Sequence, residues 1–160
     1  MRCAFILLLV LGLGSLVALP RPAAAAAAPA EVCRKLGTSD QLRTIPRSLV
    51  PAAVRLFGLS AMPAEQVQRS TVFRCFEGNV LACNYGANLP CGKADTRRDL
   101  PAATAWCAKN PSSHFIPMYV TGHDTIYRWR CGGATAVSGA AVFSVDARGF
   151  IAQLWKPADP

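Results

Sequence analysis

The chain lacks the short motifs that identify the common classes of enzyme. It contains no G-x-S-x-G nucleophile elbow, no H-E-x-x-H zinc motif, no P-loop and no G-x-G-x-x-G dinucleotide fingerprint. Histidine is scarce too: His114 and His123 are the only two, and they lie nine positions apart, a spacing that matches no metal-binding pattern. We therefore expect no cofactor and no metal site.

The chain also has no apolar run long enough to cross a membrane as a helix. The longest, residues 4–19, has about 16 residues where roughly 20 are needed. Arg2 precedes this run and an alanine tract follows it at 23–28, which is the order of an export signal. An uncleaved membrane anchor is the alternative. We predict a cleaved signal peptide at residues 1–28, a periplasmic or secreted protein, and no transmembrane segment after cleavage.

Acidic residues are few. Without residues 1–28, 15 Lys and Arg stand against 9 Asp and Glu, which is a net charge of +6. Such a charge favours contact with anionic surfaces, for example envelope polymers, without specifying a nucleic acid. A basic surface that only keeps the protein soluble is the alternative. About 132 residues remain, the size of one domain, in which a helical or irregular segment at 29–70 packs with residues 71–160.

The cysteines include no C-x-x-C pair, which disfavours a thioredoxin-like redox site and the usual zinc knuckles. Cys3 lies in the predicted signal peptide. An even number of cysteines in an oxidising compartment predicts disulfides, here with about 15 connectivities. Redox catalysis and metal binding are the alternatives. The predicted disulfide cysteines are Cys33, Cys75, Cys83, Cys91, Cys107 and Cys131.

Helical periodicity appears in two places. Apolar residues recur at helical spacing over 47–57, where a proline stands in the first turn and Gly58 provides a stop. An acidic residue and a proline introduce a second helix over 102–109. Between them, residues 59–68 are expected to form a loop or a short helix that begins at Pro63.

From residue 71 the pattern changes to short branched and aromatic segments that are separated by glycine turns, which is typical of hairpins. The sequence predicts an α+β fold: an antiparallel sheet of about five strands, an N-terminal helix and one inserted helix, stapled by disulfides. The predicted strands are residues 72–76, 80–84, 125–131, 137–145 and 150–155.

The connection between the hairpins is too long to be a bare loop. Residues 84–98 have almost no branched side chains, so we expect an irregular loop there that Cys91 pins. A Cys91–Cys107 bridge would tie this loop to the inserted helix. We take that pairing as the prediction, while the other connectivities stay open.

Arginine placement suggests a binding surface. Alternate side chains of a strand share a face, so Arg128 and Arg130 point away from Trp129, and Arg74 points away from Phe73. If both strands belong to one sheet, Arg74, Arg128 and Arg130 form a basic face opposite the core. The arginine fork suits carboxylate and phosphate groups. The alternative is an ordinary solvated face of a half-buried sheet.

The best catalytic candidates are His123 and Asp124. A histidine beside an aspartate acts as a general base when a hydroxyl approaches it. Adjacent residues on an extended chain point apart, however, so a structural use of His123 at the start of a strand is the alternative. We interpret the pair as a weak candidate and expect a non-catalytic protein.

Several short motifs occur together in the second part of the chain: Phe73-Arg74-Cys75, Leu81-Ala82-Cys83, residues 86–91, Trp106-Cys107, residues 120–123 and residues 145–150. On these motifs, residues 72–155 resemble a group of small, exported, cysteine-containing bacterial proteins of unknown function. The likeness covers about half of the chain, and it implies export and a single disulfide-rich domain. It adds no catalytic residue.

Three classes of function follow from these observations. The first is an exported, disulfide-stabilised, non-catalytic module that binds anionic envelope components or another exported protein. The second is a secreted inhibitor or interaction protein that acts through the loop at residues 85–98. The third is an enzyme centred on His123.

Overall fold

We describe a computed structural model of the protein, which covers residues 27–86 and 88–158. The predicted signal peptide, residues 1–28, lies outside these residues except for its last two positions, so it stays a prediction. In the part of the chain that the structure covers, no helix combines the length and apolar character that a bilayer crossing requires.

The first part of the chain is mainly helical. Helix α1 (Pro29–Leu36) begins at a proline, whose missing N–H needs no partner there. Strand β1 (Ser39–Thr44) and a 3-10 turn (Arg47–Leu49) lead into α2 (Val50–Phe57), which ends at Gly58 with φ +67°. Only glycine adopts that conformation without strain, so the predicted stop is confirmed. Helix α3 (Ala64–Ser70) follows Pro63, as the short-helix prediction allowed.

A four-stranded sheet forms the centre of the fold. Its strand order is β1-β2-β3-β6, with β2 at Thr71–Phe76, β3 at Asn79–Asn84 and β6 at Lys156–Pro157. All three pairings are antiparallel, and β2 and β3 form the predicted hairpin. Strand β1 was not predicted, because it is polar and shows no alternation.

A second, separate sheet carries the other predicted hairpin. It consists of β4 (Tyr127–Gly132) and β5 (Thr135–Ala141). The inserted helix α4 (Pro101–Lys109) packs against it, and a one-turn helix α5 (Met118–Thr121) follows. The α+β prediction is confirmed. The predicted single sheet of about five strands is corrected to six antiparallel strands within residues 27–86 and 88–158, in sheets of four and two.

Three disulfides join the elements. Cys33–Cys75 ties α1 to β2, Cys83–Cys91 ties β3 to the loop after it, and Cys107–Cys131 ties α4 to β4. The predicted Cys91–Cys107 bridge is therefore wrong. Cys107 lies on the buried side of α4 and contacts Cys131 on the core face of β4. Cys91, in the loop after β3, bonds instead to Cys83 of that strand.

Both faces of the central sheet are covered. On one face, Phe73 and Cys75 of β2 pack with the helical segment. On the other face, Val72 and Cys83 pack with Phe150 and Trp155 from the last part of the chain. Strand β2 is consequently buried along five consecutive residues instead of alternating. A third cluster of apolar residues lies between α4 and β4.

Candidate binding site

Strand β4 presents two arginines side by side. Its side chains alternate as predicted: Trp129 and Cys131 are buried against α4, whereas Arg128 and Arg130 are exposed on the opposite face. In a strand, residues i and i+2 stand roughly 7 Å apart, so the two guanidinium groups emerge as neighbours. The Cys107–Cys131 disulfide anchors the strand right after Arg130.

Arg74 does not join this pair. Strand β2 belongs to the four-stranded sheet and β4 to the two-stranded one, so the predicted shared face of three arginines does not exist. The Arg74 side chain is also fully buried, at 0 % exposure, where it forms an ion pair with Asp146. The reason is that the last part of the chain covers the face of β2 that the sequence pattern had left open.

The surroundings of Arg74 are those of a structural residue. Its guanidinium carbon lies 4.2 Å from the centre of the Phe150 ring and 4.7 Å from that of Trp155. Asp146 Oδ1 accepts hydrogen bonds from the backbone N–H groups of Arg148 and Phe150, which fixes the turn that carries the carboxylate. Arg74 therefore holds this turn against the sheet, where no ligand reaches it from solvent.

An open groove lies beside Arg128. It has a volume of about 330 Å³, and three stretches of chain form its walls: α5 with the loop before it, strand β4 with Thr125 before it, and the segment after β5. Arg128 is the one predicted binding residue among its walls. Its walls include His114, Phe115, Met118, Arg128, Val142 and Phe143.

Several polar groups of the groove are already engaged within the protein. Thr125 Oγ1 accepts a hydrogen bond of 2.9 Å from Trp129 Nε1, and Thr121 donates to the carbonyl of Gly122. The outer edge of β4 is covered too, because Ile116 N donates to Trp129 O and Cys131 N donates to Ser113 O. What the groove offers to a ligand is apolar surface, the Arg128 guanidinium, and the side chains of His114 and Tyr127, which form no hydrogen bond among the described residues.

Large apolar side chains are exposed around this groove. Phe115 is 63 % exposed and Val142 41 % exposed, and Met118 is exposed beside them. Soluble proteins leave single apolar side chains in water routinely, but a contiguous group marks an interaction site. The groove and its rim therefore form the most apolar accessible surface next to the arginine pair.

The charges at the site are of one sign. No Asp or Glu lines the groove, and neither Arg128 nor Arg130 forms an ion pair within residues 27–86 and 88–158. Some other cations are paired: Arg97 binds Asp95, while Arg148 and Lys93 both bind Asp40. The hydrogen bonds from Arg148 and then Lys93 hold the pKa of Asp40 well below its usual range.

The structure places His123 and Asp124 at the surface between α5 and β4. His123 is exposed and forms no hydrogen bond with another described side chain. Asp124 lines a separate depression with Asp95, whose carboxyl pKa is lowered by the hydrogen bonds that Arg97 donates to it.

The described residues also hold no metal centre. No group of three or more His, Cys, Asp and Glu side chains lies close enough to bind an ion in the part that the structure describes. The six cysteines, for which the sequence left metal binding open as an alternative, are all in disulfides, so none of them offers a thiolate ligand.

The loop at residues 84–98 is stapled by the short Cys83–Cys91 disulfide. Tyr85 and Leu89 within it are exposed, at 44 % and 45 %. The end of this loop reaches strand β4, where the Arg98 guanidinium carbon lies 4.2 Å from the centre of the Tyr127 ring. Neither Tyr85 nor Leu89 belongs to the walls of the groove.

Several groove residues were missed by the sequence analysis. His114 and Phe115 lie in a loop without periodicity, and Val142 follows a strand whose end was placed too late. The available signal was the run 115–119, in which four of five side chains are large and apolar outside any predicted element. Comparison of the chain with protein-family models, curated proteins and solved structures found no match.

Proposed function

We propose that the protein is an exported, disulfide-stabilised, non-catalytic module that binds an anionic component of the cell envelope through Arg128 and Arg130. One observation carries the proposal: two adjacent arginines of one rigid strand are exposed and have no carboxylate partner among the described residues. Arginine at such a position donates paired hydrogen bonds to phosphate or carboxylate groups.

Export is supported by two independent features. The start of the sequence has the order of a signal peptide. All six cysteines of the remaining chain are in disulfides, which persist in oxidising compartments and are rare in reducing ones. The resemblance to small exported bacterial proteins agrees with both. The periplasm or the external medium is the proposed location.

Rigidity supports a binding role for the arginine pair. The Cys107–Cys131 disulfide and the hydrogen bonds on both edges hold β4 in place. A guanidinium on a fixed backbone loses less conformational entropy on binding than one on a mobile loop, so more of its hydrogen-bond energy appears as affinity. The net charge of +6 that residues 29–160 carry adds attraction at long range but no specificity.

The test is equilibrium binding of the mature protein to soluble polyphosphate and to polygalacturonate, one polymer for each anion chemistry. The double variant Arg128→Glu/Arg130→Glu should weaken binding by about tenfold or more, because it removes two charge-assisted contacts and adds repulsion. The control is Arg55→Glu/Arg69→Glu. Both control residues are exposed, lie on α2 and α3, and give the same change of net charge.

The two double variants separate a site from a general basic surface. The proposal expects a large loss for the β4 variant and a much smaller one for the control. Equal losses would mean that net charge alone drives binding, and unchanged binding of the β4 variant would exclude the arginine pair. Either result overturns the proposal. Far-ultraviolet circular dichroism of both variants establishes that they are folded.

A further inference from the structure

The groove beside Arg128 has the surface of a site for a hydrocarbon chain. Its rim holds Phe115, Met118 and Val142, three of the large apolar side chains that the described residues leave exposed. Burying such surface stabilises a complex by about 25 cal/mol per Å² of apolar area. An occupant with an apolar part therefore gains affinity here that a purely ionic polymer does not.

The positive charge of the site indicates that the head group of the ligand is anionic. Arg128 lies at the wall of the groove and Arg130 follows on the same face of the strand, while no carboxylate lines the groove. A cationic or neutral head would leave both guanidinium groups without a partner. An anionic head next to an apolar chain satisfies both surfaces at once.

Hydrogen bonding in the groove disfavours a peptide. A peptide brings one N–H and one C=O per residue, and these must find partners when they leave water. The edge of β4 is already paired with residues 113 and 116, and the hydroxyls of Thr121 and Thr125 are already bonded. A hydrocarbon chain needs no such partners.

We infer that this groove binds a monomeric, single-chain amphiphilic anion, with the chain against Phe115, Met118 and Val142 and the phosphate or carboxylate head on Arg128 and Arg130. The inference rests on the proposed function, because it uses the same arginine pair and names the chemical class of the ligand. A volume of about 330 Å³ is at the small end for ligand sites, which suits a single hydrocarbon chain better than two.

The experiment is calorimetric titration of the mature protein with dodecyl phosphate, kept below the concentration at which it forms micelles. Inorganic phosphate tests the head alone, and dodecyl maltoside tests the chain with a neutral head. We expect one site for dodecyl phosphate and binding at least about tenfold weaker for each of the other two, since each lacks one of the two contributions.

Variants of exposed residues connect this binding to the groove. Phe115→Ser/Val142→Ser should weaken dodecyl phosphate about tenfold while leaving polyphosphate binding unchanged. The matched control is Leu36→Ser/Tyr85→Ser, at residues that are 46 % and 44 % exposed and lie outside the groove. It should bind like wild type. If the groove variant does not fold, the chain-length series octyl, decyl and dodecyl phosphate on wild type replaces it, and affinity should rise along the series.

Failure of the inference can be told apart from failure of the proposed function. Dodecyl phosphate that binds no tighter than inorganic phosphate, or equal affinity along the chain-length series, overturns the inference and leaves polymer binding by the arginines intact. Binding to phosphatidylglycerol vesicles without binding of the monomer overturns it too, because the apolar rim would then dock on a bilayer. Polymer binding that survives Arg128→Glu/Arg130→Glu overturns the proposed function itself.

Discussion

Arg74 and Asp146 form an ion pair although 72 positions separate them in the sequence. The pair fastens the turn before Phe150 to the central sheet, and it does so where the arginine side chain has no contact with water. The Arg74 Nε and Nη1 atoms have no acceptor among the described residues. The carboxylate of Asp146 is therefore the main group that stabilises the buried positive charge of Arg74.

Asp146→Asn should therefore destabilise the protein strongly. The asparagine keeps an oxygen for the two backbone N–H groups of the turn but leaves the buried guanidinium without a counter-charge, which costs about 3 kcal/mol or more. Urea denaturation of the disulfide-intact protein measures this loss. Arg74→Met/Asp146→Asn should cost less than the two single changes together, because no buried charge is left uncompensated. Additive costs in this cycle would contradict the role given to the pair.

The disulfides should rank by the length of chain that each one closes. Their sequence separations are 42 for Cys33–Cys75, 24 for Cys107–Cys131 and 8 for Cys83–Cys91. The loop-entropy relation assigns about 4, 3.5 and 2.6 kcal/mol to them in that order. Paired Cys→Ser variants, compared by their free energies of unfolding, test the order. A larger loss for Cys83–Cys91 than for Cys33–Cys75 would show that native packing and not chain entropy sets the contributions.

The ion pairs of Asp40 should make stability depend on pH in the acid range. Arg148, followed by Lys93, lowers the pKa of the folded Asp40 carboxyl below its value in the unfolded chain. Its contribution is complete above the unfolded pKa of about 4 and is lost as the pH falls below that value. Asp40→Asn should cost at most about 1 kcal/mol at pH 7, because the pairs are partly exposed.

Denaturation at pH 7 and pH 2.5 tests this dependence. The difference between wild type and Asp40→Asn should shrink at the lower pH, and it should also shrink at high salt, which screens exposed ion pairs. A cost of Asp40→Asn that grows on acidification contradicts the assignment.

Elements whose signals are local were predictable from the sequence. Helix α2 has a period and a glycine stop, and the hairpin of β2 and β3 has a glycine turn between two branched segments, so each is specified within a dozen residues. Strand β1 has no such signal. It becomes a strand because it pairs with β2 from a distance in the sequence, and its own residues are mostly polar.

The part of the candidate site that depends on a local sequence pattern was predictable as well. Alternation along β4 placed Arg128 and Arg130 on the open face, since Trp129 between them belongs to the core. The same rule failed for Arg74, because alternation does not reveal that a distant segment covers the second face of β2. The groove unites three stretches of chain, and Cys107 pairs with Cys131 through packing of α4 on β4, so neither follows from local patterns.

The salt dependence of polyphosphate binding measures directly whether Arg128 and Arg130 contact the anionic ligand. Each cation that contacts a phosphate polymer releases counterions, so the slope of log affinity against log salt counts the contacts. Wild type, Arg128→Gln/Arg130→Gln and the control Arg55→Gln/Arg69→Gln are compared over one range of salt. We expect a slope that is smaller by roughly 1.5 to 2 for the β4 variant and unchanged for the control. An unchanged slope for the β4 variant would contradict this expectation.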